Sequence, residues 1–457
     1  MSLDICKEVR PLIPEYMQGY TYSLKYIFEA NMANIDVNTC SECGSYNTHY
    51  CKPCNSVHFR DKFSLWTSND SNVDKLIQNS QLDAISRLRL IEWIEYSNFT
   101  NIEFVAHGGF GDVYKAIWKD GPICEGHEMP VWNINKSEWN RDSEKRVAIK
   151  KFRNITNASS EFLNEVKNNL RLNHLYVNYI YGITRDIQSG EYAIVTEFQS
   201  GGNLRELIKK NYSILNWKLI IKILNEISLG LTAIHNSDYC HKDFHSGNIL
   251  NSIHGDTINL FISDFGMCCA AELPEQLSAD KTLYGVLSFV APEILRGEKF
   301  TKAADIYGFG MLMSEIISGE APFVNRDYDV HLALDICKGK RPLIPEYTPD
   351  PYAALMKRCW DPVPSNRPTA RELFSQFNDL QDEQGIEKEF SQEQEDKWKA
   401  QLAELAINPR PMKKSHNFLT SKRLDYSKQI SQLLENKDDE VKKNDEIYHT
   451  RQYDMSI

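Results

Sequence analysis

The chain has 457 residues, 42% of them hydrophobic and 25% charged, a composition typical of globular proteins. Its net charge of −11 excludes a broad basic surface for nucleic acid, and it shows neither a secretory leader nor an apolar run of the roughly 18 residues that a membrane span requires. Its eleven cysteines are an odd number without a disulfide pattern, so we expect a soluble cytoplasmic protein with neither nucleic acid nor membrane as a partner.

The first segment, residues 1–39, contains a sequence that occurs again much later. Residues 3–7 and 10–16 match residues 334–338 and 341–347 without a single difference. The two copies lie too far apart to belong to a solenoid repeat. A duplication remnant or an imperfect gene boundary is therefore preferred to a functional decoy segment.

Residues 40–58 contain a candidate metal site. Four cysteines form two pairs, each with two residues between its members: Cys40, Cys43, Cys51 and Cys54. Two such pairs can surround a tetrahedral ion, so a structural zinc site is predicted. The alternatives are a degraded cluster in a linker, or a site in which His49 or His58 replaces a cysteine. A zinc-stapled module that recruits partners is a second hypothesis for the region before residue 98.

Residues 59–97 are predicted to be a helical linker. Their apolar residues recur at roughly helical spacing: Leu76, Ile77, Ile85, Leu88, Ile91 and Trp93. Two strand-like runs, 102–105 and 113–118, then flank a glycine-rich turn. An insertion over residues 120–146 carries Trp132 and Trp139 and is expected to form a hairpin or a loop.

Four further segments precede the most informative part of the chain. Residues 147–150 form a strand that ends at Lys150, and Glu165 lies on a helix whose apolar face carries Phe162 and Val166. Residues 194–198 have the pattern of another strand. Residues 217–234 repeat apolar residues at helical spacing, which predicts a buried helix.

The segment after that helix carries a carboxylate and an amide on one short loop. Asp243 is followed by Asn248 five residues later and by Asp264 sixteen residues after that. Phosphoryl transfer needs such a set, with one group to orient the attacking hydroxyl and two to hold Mg²⁺. Hard oxygen donors suit Mg²⁺.

These segments together resemble the motifs of eukaryotic protein kinases. The resemblance includes the sequences His241-Lys242-Asp243, Asp264-Phe265-Gly266, Ala291-Pro292-Glu293 and Arg367-Pro368, and the segment 305–310. The whole is most similar to the tyrosine-kinase-like group, and some such kinases with leading cysteine pairs are expanded in certain fungi. The resemblance implies an α+β, bilobal kinase fold over residues 98–380, with a small antiparallel sheet and helix in the N-lobe and a larger helical C-lobe.

The resemblance also implies a role for each site residue. Asp243 would orient the acceptor hydroxyl, Asn248 and Asp264 would bind Mg²⁺, and Lys150 would pair with Glu165, or failing that with Glu161, to position the phosphates of ATP. The expected nucleotide-binding residues lie in the glycine-rich loop, its strands and the hinge: Gly108, Gly109, Gly111, Val113, Ala148, Lys150, Thr196, Glu197 and Phe198. Glu293 is expected to form a buried ion pair with Arg367, and Asp305 to brace the catalytic loop.

The acceptor is less sharply defined by the sequence. His245, two residues after Asp243, favours neither serine/threonine nor tyrosine kinases, and the group resemblance favours serine and threonine in a protein substrate. A pseudokinase scaffold, a zinc-module adaptor and a tyrosine or dual-specificity kinase are the alternatives. The oligomeric state stays open.

The two ends of the chain are expected to lie outside the kinase domain. In the light of the resemblance, residues 1–39 look like the stub of a preceding C-lobe segment. Residues 381–457 are rich in charge and are predicted to be mostly disordered, because they have little apolar surface to bury. Within them, Leu402, Leu405 and Ile407 are expected to form a short helix.

Overall fold

The structure is a computed structural model, and it describes residues 40, 42–45, 50–109, 111–124, 131–153, 158–172, 175–255, 257–271, 283–381, 388–409, 421–424, 426, 429–430 and 432–433. The helices in these residues are α1 Lys52–Lys62, α2 Ser71–Asp83, α3 Ser160–Leu172, α4 Leu204–Lys210, α5 Trp217–Asn236, α6 Pro292–Leu295, α7 Lys302–Ser318, α8 Val330–Cys337, α9 Asp350–Cys359, α10 Ala370–Leu380 and α11 Gln392–Ile407. The strands are β1 Glu92–Trp93, β2 Phe99–His107, β3 Gly111–Trp118, β4 Trp132–Asn133, β5 Glu138–Trp139, β6 Lys145–Phe152, β7 Ile180–Arg185, β8 Tyr192–Glu197, β9 Tyr239–Cys240, β10 Ile249–His254, β11 Thr257–Ile262, β12 Cys269–Ala270, β13 Leu283–Gly285 and β14 Lys422–Leu424.

The N-lobe is built on a six-stranded sheet with the order β1-β7-β8-β6-β3-β2. Every neighbouring pair is antiparallel except β1 and β7. In β6, Val147 and Ile149 are buried while Ala148 and Lys150 are only partly so, because side chains of a strand alternate between its two faces. This alternation places Lys150 on the face that the active site uses.

The predicted linker over residues 59–97 is instead part of the N-lobe. Its helix α2 packs on α3, where Val73 and Ile77 share one buried cluster with Phe162 and Val166. Strand β1 then extends the sheet by pairing with β7. Helices are expected here from the sequence, whereas a strand of two residues has no alternation that could reveal it.

The insertion after β3 forms the expected aromatic hairpin, with β4 and β5 antiparallel. Its two tryptophans contact α1: Trp132 stacks on His58 with ring centroids 4.1 Å apart, and Trp139 stacks on Phe59 at 4.0 Å. The hairpin therefore joins the segment that carries the cysteine pairs to the rest of the N-lobe.

The C-lobe is mainly helical, and its core is one large cluster of buried residues that includes α5 and α7. The expected ion pair between Glu293 and Arg367 is present, with Nη1 of Arg367 at 2.7 Å from Oε1 of Glu293. The α+β, bilobal kinase fold expected from the sequence is confirmed. Within the described residues, no helix is long and apolar enough to cross a membrane.

The beginning of the charged tail is helical over Gln392–Ile407, whereas most of the tail is predicted from the sequence to be disordered. Helix α11 is longer than the short helix expected, and it packs against the C-lobe. Trp398 is fully buried and stacks on Trp217 at 4.7 Å, while Glu395 accepts a hydrogen bond of 2.8 Å from the Trp217 backbone N–H. Trp398 and Leu402 form a narrow buried apolar stripe on this helix. The many charged residues around them led to the prediction of disorder. Residues 1–39, and most of the chain after residue 409, lie outside the described residues.

Candidate active site

The catalytic loop is held in place by one buried carboxylate of α7. Asp305 accepts hydrogen bonds from the backbone N–H groups of His241, at 2.8 Å, and Lys242, at 3.0 Å, and it also contacts His235 Nε2 at 2.9 Å. Lys242 has a φ of 69°, a left-handed conformation that is costly for a residue with a side chain. Asp305 thus braces a strained turn directly before Asp243, as the sequence predicted.

Asp243 and Asn248 lie at the two ends of this turn and contact each other. Asn248 Nδ2 donates to the Asp243 carbonyl oxygen at 2.9 Å and to Asp243 Oδ2 at 3.2 Å. The Asn248 amide nitrogen donates both bonds, so neither of them uses the carboxamide oxygen. The Asn248 amide therefore orients the Asp243 carboxylate, and its carboxamide oxygen is a candidate metal ligand nearby.

Asp243 is almost completely buried, with 4% of its surface exposed. Burial alone would raise its pKa, but His245, the hydroxyl of Ser421 and His241 outweigh burial and lower the pKa to about 2. Its Oδ1 atom has no hydrogen-bond partner among the described residues. Asp243 is therefore a carboxylate at neutral pH.

Lys150 lies between two carboxylates that come from different lobes. Its Nζ atom is 2.7 Å from Glu165 Oε1 and 2.9 Å from Asp264 Oδ1. Burial alone would lower the pKa of Lys150, but Asp264 and Glu165 outweigh it and raise the pKa above the usual value. Glu165 is the partner, as expected, and the fallback Glu161 is exposed.

The segment that carries Asp264 is fixed by its neighbours. Asp264 has a φ of 65°, and the following Phe265 is fully buried. Asn168, on α3, donates to the Phe265 carbonyl oxygen at 3.1 Å and to the Cys268 carbonyl oxygen at 3.0 Å. The helix that supplies Glu165 therefore also holds the backbone beside Asp264.

The predicted nucleotide residues lie on neighbouring strands. Val113 is opposite Lys150, and Ala148 is opposite Thr196. The remaining predicted residues of the hinge, Glu197 and Phe198, follow directly along the chain and are partly buried. The structure thus brings these residues to one side of the lobe junction.

The glycine-rich turn connects β2 and β3 at the same side. The Gly108 N–H donates to the Gly111 carbonyl oxygen at 2.7 Å. A side chain at Gly111 would collide with the Lys151 carbonyl oxygen, since a Cβ would lie 1.9 Å from it. At Gly109, a Cβ would lie 2.6 Å from the Ser421 carbonyl oxygen. Glycine is therefore required for close backbone approach at both positions.

Ser421 is a site residue that the sequence did not reveal. Its Oγ atom donates a hydrogen bond of 2.5 Å to Asp243 Oδ2 and lies 3.3 Å from His245 Nε2. The only signal available was a short stretch with Leu424 and Tyr426 inside a polar tail. That stretch does not indicate which surface it would contact.

The four cysteines converge as a candidate metal site. Their sulfur atoms all lie within 4.8 Å of one another, with 3.8 Å between Cys40 and Cys54 and 3.6 Å between Cys43 and Cys51. These distances are far longer than the roughly 2.05 Å of a disulfide. His58 is not part of the group, because it contacts Glu42 at 2.6 Å and stacks on the hairpin. His49 lies outside the described residues. The cluster can hold a metal ion.

A comparison with protein families identifies the catalytic part of the chain. A family model described as protein tyrosine and serine/threonine kinase matches residues 99–377, which is more than half of the chain. The chain belongs to this kinase family. Membership implies ATP as the phosphate donor, Mg²⁺ as its cation and a protein as the substrate.

Several curated proteins are similar to this kinase. A protein of Acanthamoeba polyphaga mimivirus named as a serine/threonine-protein kinase/receptor is 34% identical over 54% of the chain and 14% of its own length. A dual specificity protein kinase of Dictyostelium discoideum is 27% identical over 69% and 21%. Mitogen-activated protein kinase kinase kinase 10 of Xenopus laevis is 27% identical over 63% and 27%. The chain spans less than a third of the length of each of these relatives.

Proposed function

We propose that the chain is an ATP-dependent protein kinase that phosphorylates serine and threonine hydroxyls. The observation that carries this proposal is the bridge of Lys150 between Glu165 and Asp264, beside an ionised Asp243. Lys150 and Glu165 position the phosphates, and Asp243 orients the acceptor hydroxyl and accepts its proton. Against the effect of burial, Asp264 and Glu165 stabilise the charged form of Lys150 and raise its pKa. His245 and Ser421 likewise stabilise the Asp243 carboxylate and lower its pKa.

The donor set on the catalytic loop fits Mg²⁺. Asn248 has a carboxamide oxygen that its hydrogen bonds to Asp243 do not use, and Asp264 has a partly exposed carboxylate. Amide and carboxylate oxygens are ligands that Mg²⁺ prefers. Asn248 and Asp264 would hold the ion, which neutralises charge on the transferred phosphate.

Serine and threonine are favoured as acceptors because an aliphatic hydroxyl reaches Asp243 in the folded chain. The Ser421 hydroxyl does so at 2.5 Å, and the mimivirus relative is named as a serine/threonine-protein kinase/receptor. The pseudokinase and adaptor alternatives are less favoured, because Lys150 contacts both Glu165 and Asp264 in the arrangement that positions phosphates. Membership of the tyrosine-kinase-like group stays a prediction.

The proposal is tested with matched peptide mixtures whose acceptors are serine, threonine or tyrosine. The chain is incubated with them and Mg-ATP, beside the variant Asp243→Asn, and the phosphorylated residue is identified by mass spectrometry. We expect phosphoserine and phosphothreonine above the level of the variant. Phosphotyrosine would instead indicate tyrosine or dual specificity, and no phosphate above the variant would indicate a scaffold.

We propose that the cysteine cluster holds a structural zinc ion. Four thiolates around zinc at about 2.3 Å place their sulfur atoms roughly 3.8 Å apart in a tetrahedron, and the two measured separations are 3.8 and 3.6 Å. Gly44, with a φ of 70°, closes the turn of the first pair through a 2.8 Å hydrogen bond to the Cys40 carbonyl oxygen. Four protein ligands leave no open position, so the ion would stabilise the fold and take no part in catalysis.

Removal of this ion should destabilise the N-lobe. We expect about one zinc ion per chain by elemental analysis, and a melting temperature lowered by at least about 2 °C after chelation. The variant Cys43→Ser should lose the zinc, whereas Cys337→Ser, a partly buried cysteine of the C-lobe, should keep it. Zinc content unchanged in Cys43→Ser, or absent from the intact chain, would refute the site.

We also propose a cytoplasmic location. None of the cysteines in the described residues forms a disulfide, including Cys240 and Cys359 in the core. Persistent free thiols are typical of reducing compartments, which supports the proposal. The converged cysteine pairs also fit a compartment in which thiolates remain available to a metal ion.

A further inference from the structure

One segment of the tail returns to the kinase domain at the catalytic loop. Strand β14, residues Lys422–Leu424, pairs antiparallel with β13 of the segment between Asp264 and Glu293. Leu283 is opposite Leu424, and Gly285 is opposite Lys422. The pairing fixes the register of the tail, and the residue directly before β14 therefore lies beside Asp243.

That residue is Ser421, and its hydroxyl group has a defined orientation. His245 Nδ1 accepts a hydrogen bond of 3.0 Å from the Gly247 N–H, which assigns a proton to the other ring nitrogen, Nε2. Nε2 is 3.3 Å from Ser421 Oγ and donates to it, while the Ser421 hydroxyl donates to Asp243 Oδ2 at 2.5 Å. The hydroxyl proton points at the carboxylate, and one lone pair of Oγ remains for attack.

Ser421 also lies against the glycine-rich loop. The close approach at Gly109 shows that the Ser421 backbone touches this loop, which is the proposed cover of the ATP phosphates. The hydroxyl is therefore enclosed between the expected phosphate donor and the expected proton acceptor. A phosphoryl acceptor must occupy such a position.

The tail is anchored by apolar side chains on the far side of Ser421. Leu424 is 3% exposed and Ile430 is fully buried, and both belong to the C-lobe core. Between them and the serine, Lys422 is partly exposed and Arg423 is exposed. We call the surface along β13 that the tail covers the groove. Leu424, three residues after the serine, is thus the side chain by which this groove can recognise a substrate.

We propose that Ser421 is an autophosphorylation site that the kinase modifies within the same chain. In this step Ser421 Oγ forms a bond to the γ-phosphorus of ATP, and the bond from that phosphorus to the bridging oxygen breaks. ADP leaves with the electron pair, and the hydroxyl proton passes to Asp243. This inference rests on the proposed kinase function. External substrates use the same groove, so serine peptides with leucine three positions after the serine are the favoured class.

The test is the incubation of the intact chain with Mg-ATP and a serine peptide over a wide range of chain concentrations. We expect phosphate on Ser421, located by mass spectrometry, with a first-order rate constant that does not depend on chain concentration. A rate that rises with concentration would overturn transfer within one chain. Peptide phosphorylation with Ser421 unmodified would overturn the proposal and leave the kinase function standing, and no phosphate on either would overturn both.

A pair of matched variants tests the anchor. Leu424→Ala removes the buried leucine, and Leu433→Ala removes one that is 38% exposed in the same tail. Leu424→Ala should slow Ser421 phosphorylation about 10- to 100-fold and lower the KM of the serine peptide, because the tail then competes less for the groove. Leu433→Ala should change neither. Equal behaviour of the two variants would contradict the proposed register.

Discussion

Replacement of Asp243 by asparagine should lower kcat for peptide phosphorylation by about 10²–10⁴-fold. Asparagine has the same shape as aspartate but cannot accept a proton from the acceptor hydroxyl. The nucleotide is expected to bind through Lys150 and Asp264, which this change leaves in place, so the KM for ATP should not change. Steady-state kinetics with varied ATP and varied peptide separate the two effects.

The matched control for this variant is Asp238→Asn. Asp238 lies five residues earlier, and its exposed carboxylate pairs with Lys302 at 2.8 Å. The control should retain kcat, because an exposed ion pair contributes little and takes no part in the reaction. A kcat for Asp243→Asn equal to that of the control would contradict the role assigned to Asp243.

The second large effect is expected on stability, when the buried ion pair between Arg367 and Glu293 is broken. The guanidinium of Arg367 donates two hydrogen bonds to Glu293, at 2.7 and 2.8 Å, and the exposed fractions of the two side chains are 0% and 3%. It also donates to the carbonyl oxygens of Asp361 and Ala303, both at 2.9 Å. Arg367→Met should lower the free energy of unfolding by about 3–5 kcal/mol, because it leaves a buried carboxylate without its partner.

The control for stability is Arg296→Met, which makes the same change at an exposed pair. Arg296 contacts Glu298 at 3.1 Å, with 33% and 57% of the two side chains exposed. Its loss should cost less than about 1 kcal/mol. Urea or thermal unfolding of both variants gives the comparison. Equal losses would mean that the pair of Arg367 does not support the C-lobe in the way described.

The catalytic-loop residues could be predicted from the sequence because the resemblance to protein kinases rests on short local motifs. Asp243 and Asn248 belong to one turn, and the apolar segments on either side of Asp264 mark the strands and loops that hold it. Glu165 could be chosen over Glu161 because it lies beside the apolar face of its helix. Contacts over long separations, such as that of Lys150 with Asp264 114 residues later, were implied by the resemblance and not by local spacing.

The tail could not be predicted in the same way. Ser421 and Asp243 are separated by 178 residues, and β14 has only three residues, too few for a pattern of alternation. Helix α11 was underestimated because its apolar contacts come from few side chains among many charged ones. The contact of the aromatic hairpin with α1 could not be predicted either, because the stacking of Trp132 on His58 corresponds to no pattern in the sequence of either segment.

The central claim is that this chain transfers phosphate from ATP to a hydroxyl group rather than only binding nucleotide. A single-turnover experiment tests it directly, with the chain and a serine peptide in excess over γ-labelled ATP and Mg²⁺. The account predicts that the label moves from ATP to serine, on the peptide and on Ser421, and that it stays in ATP when the variant Asp264→Asn replaces the intact chain. Label that remains in ATP with the intact chain, or that appears only as inorganic phosphate, would contradict the account.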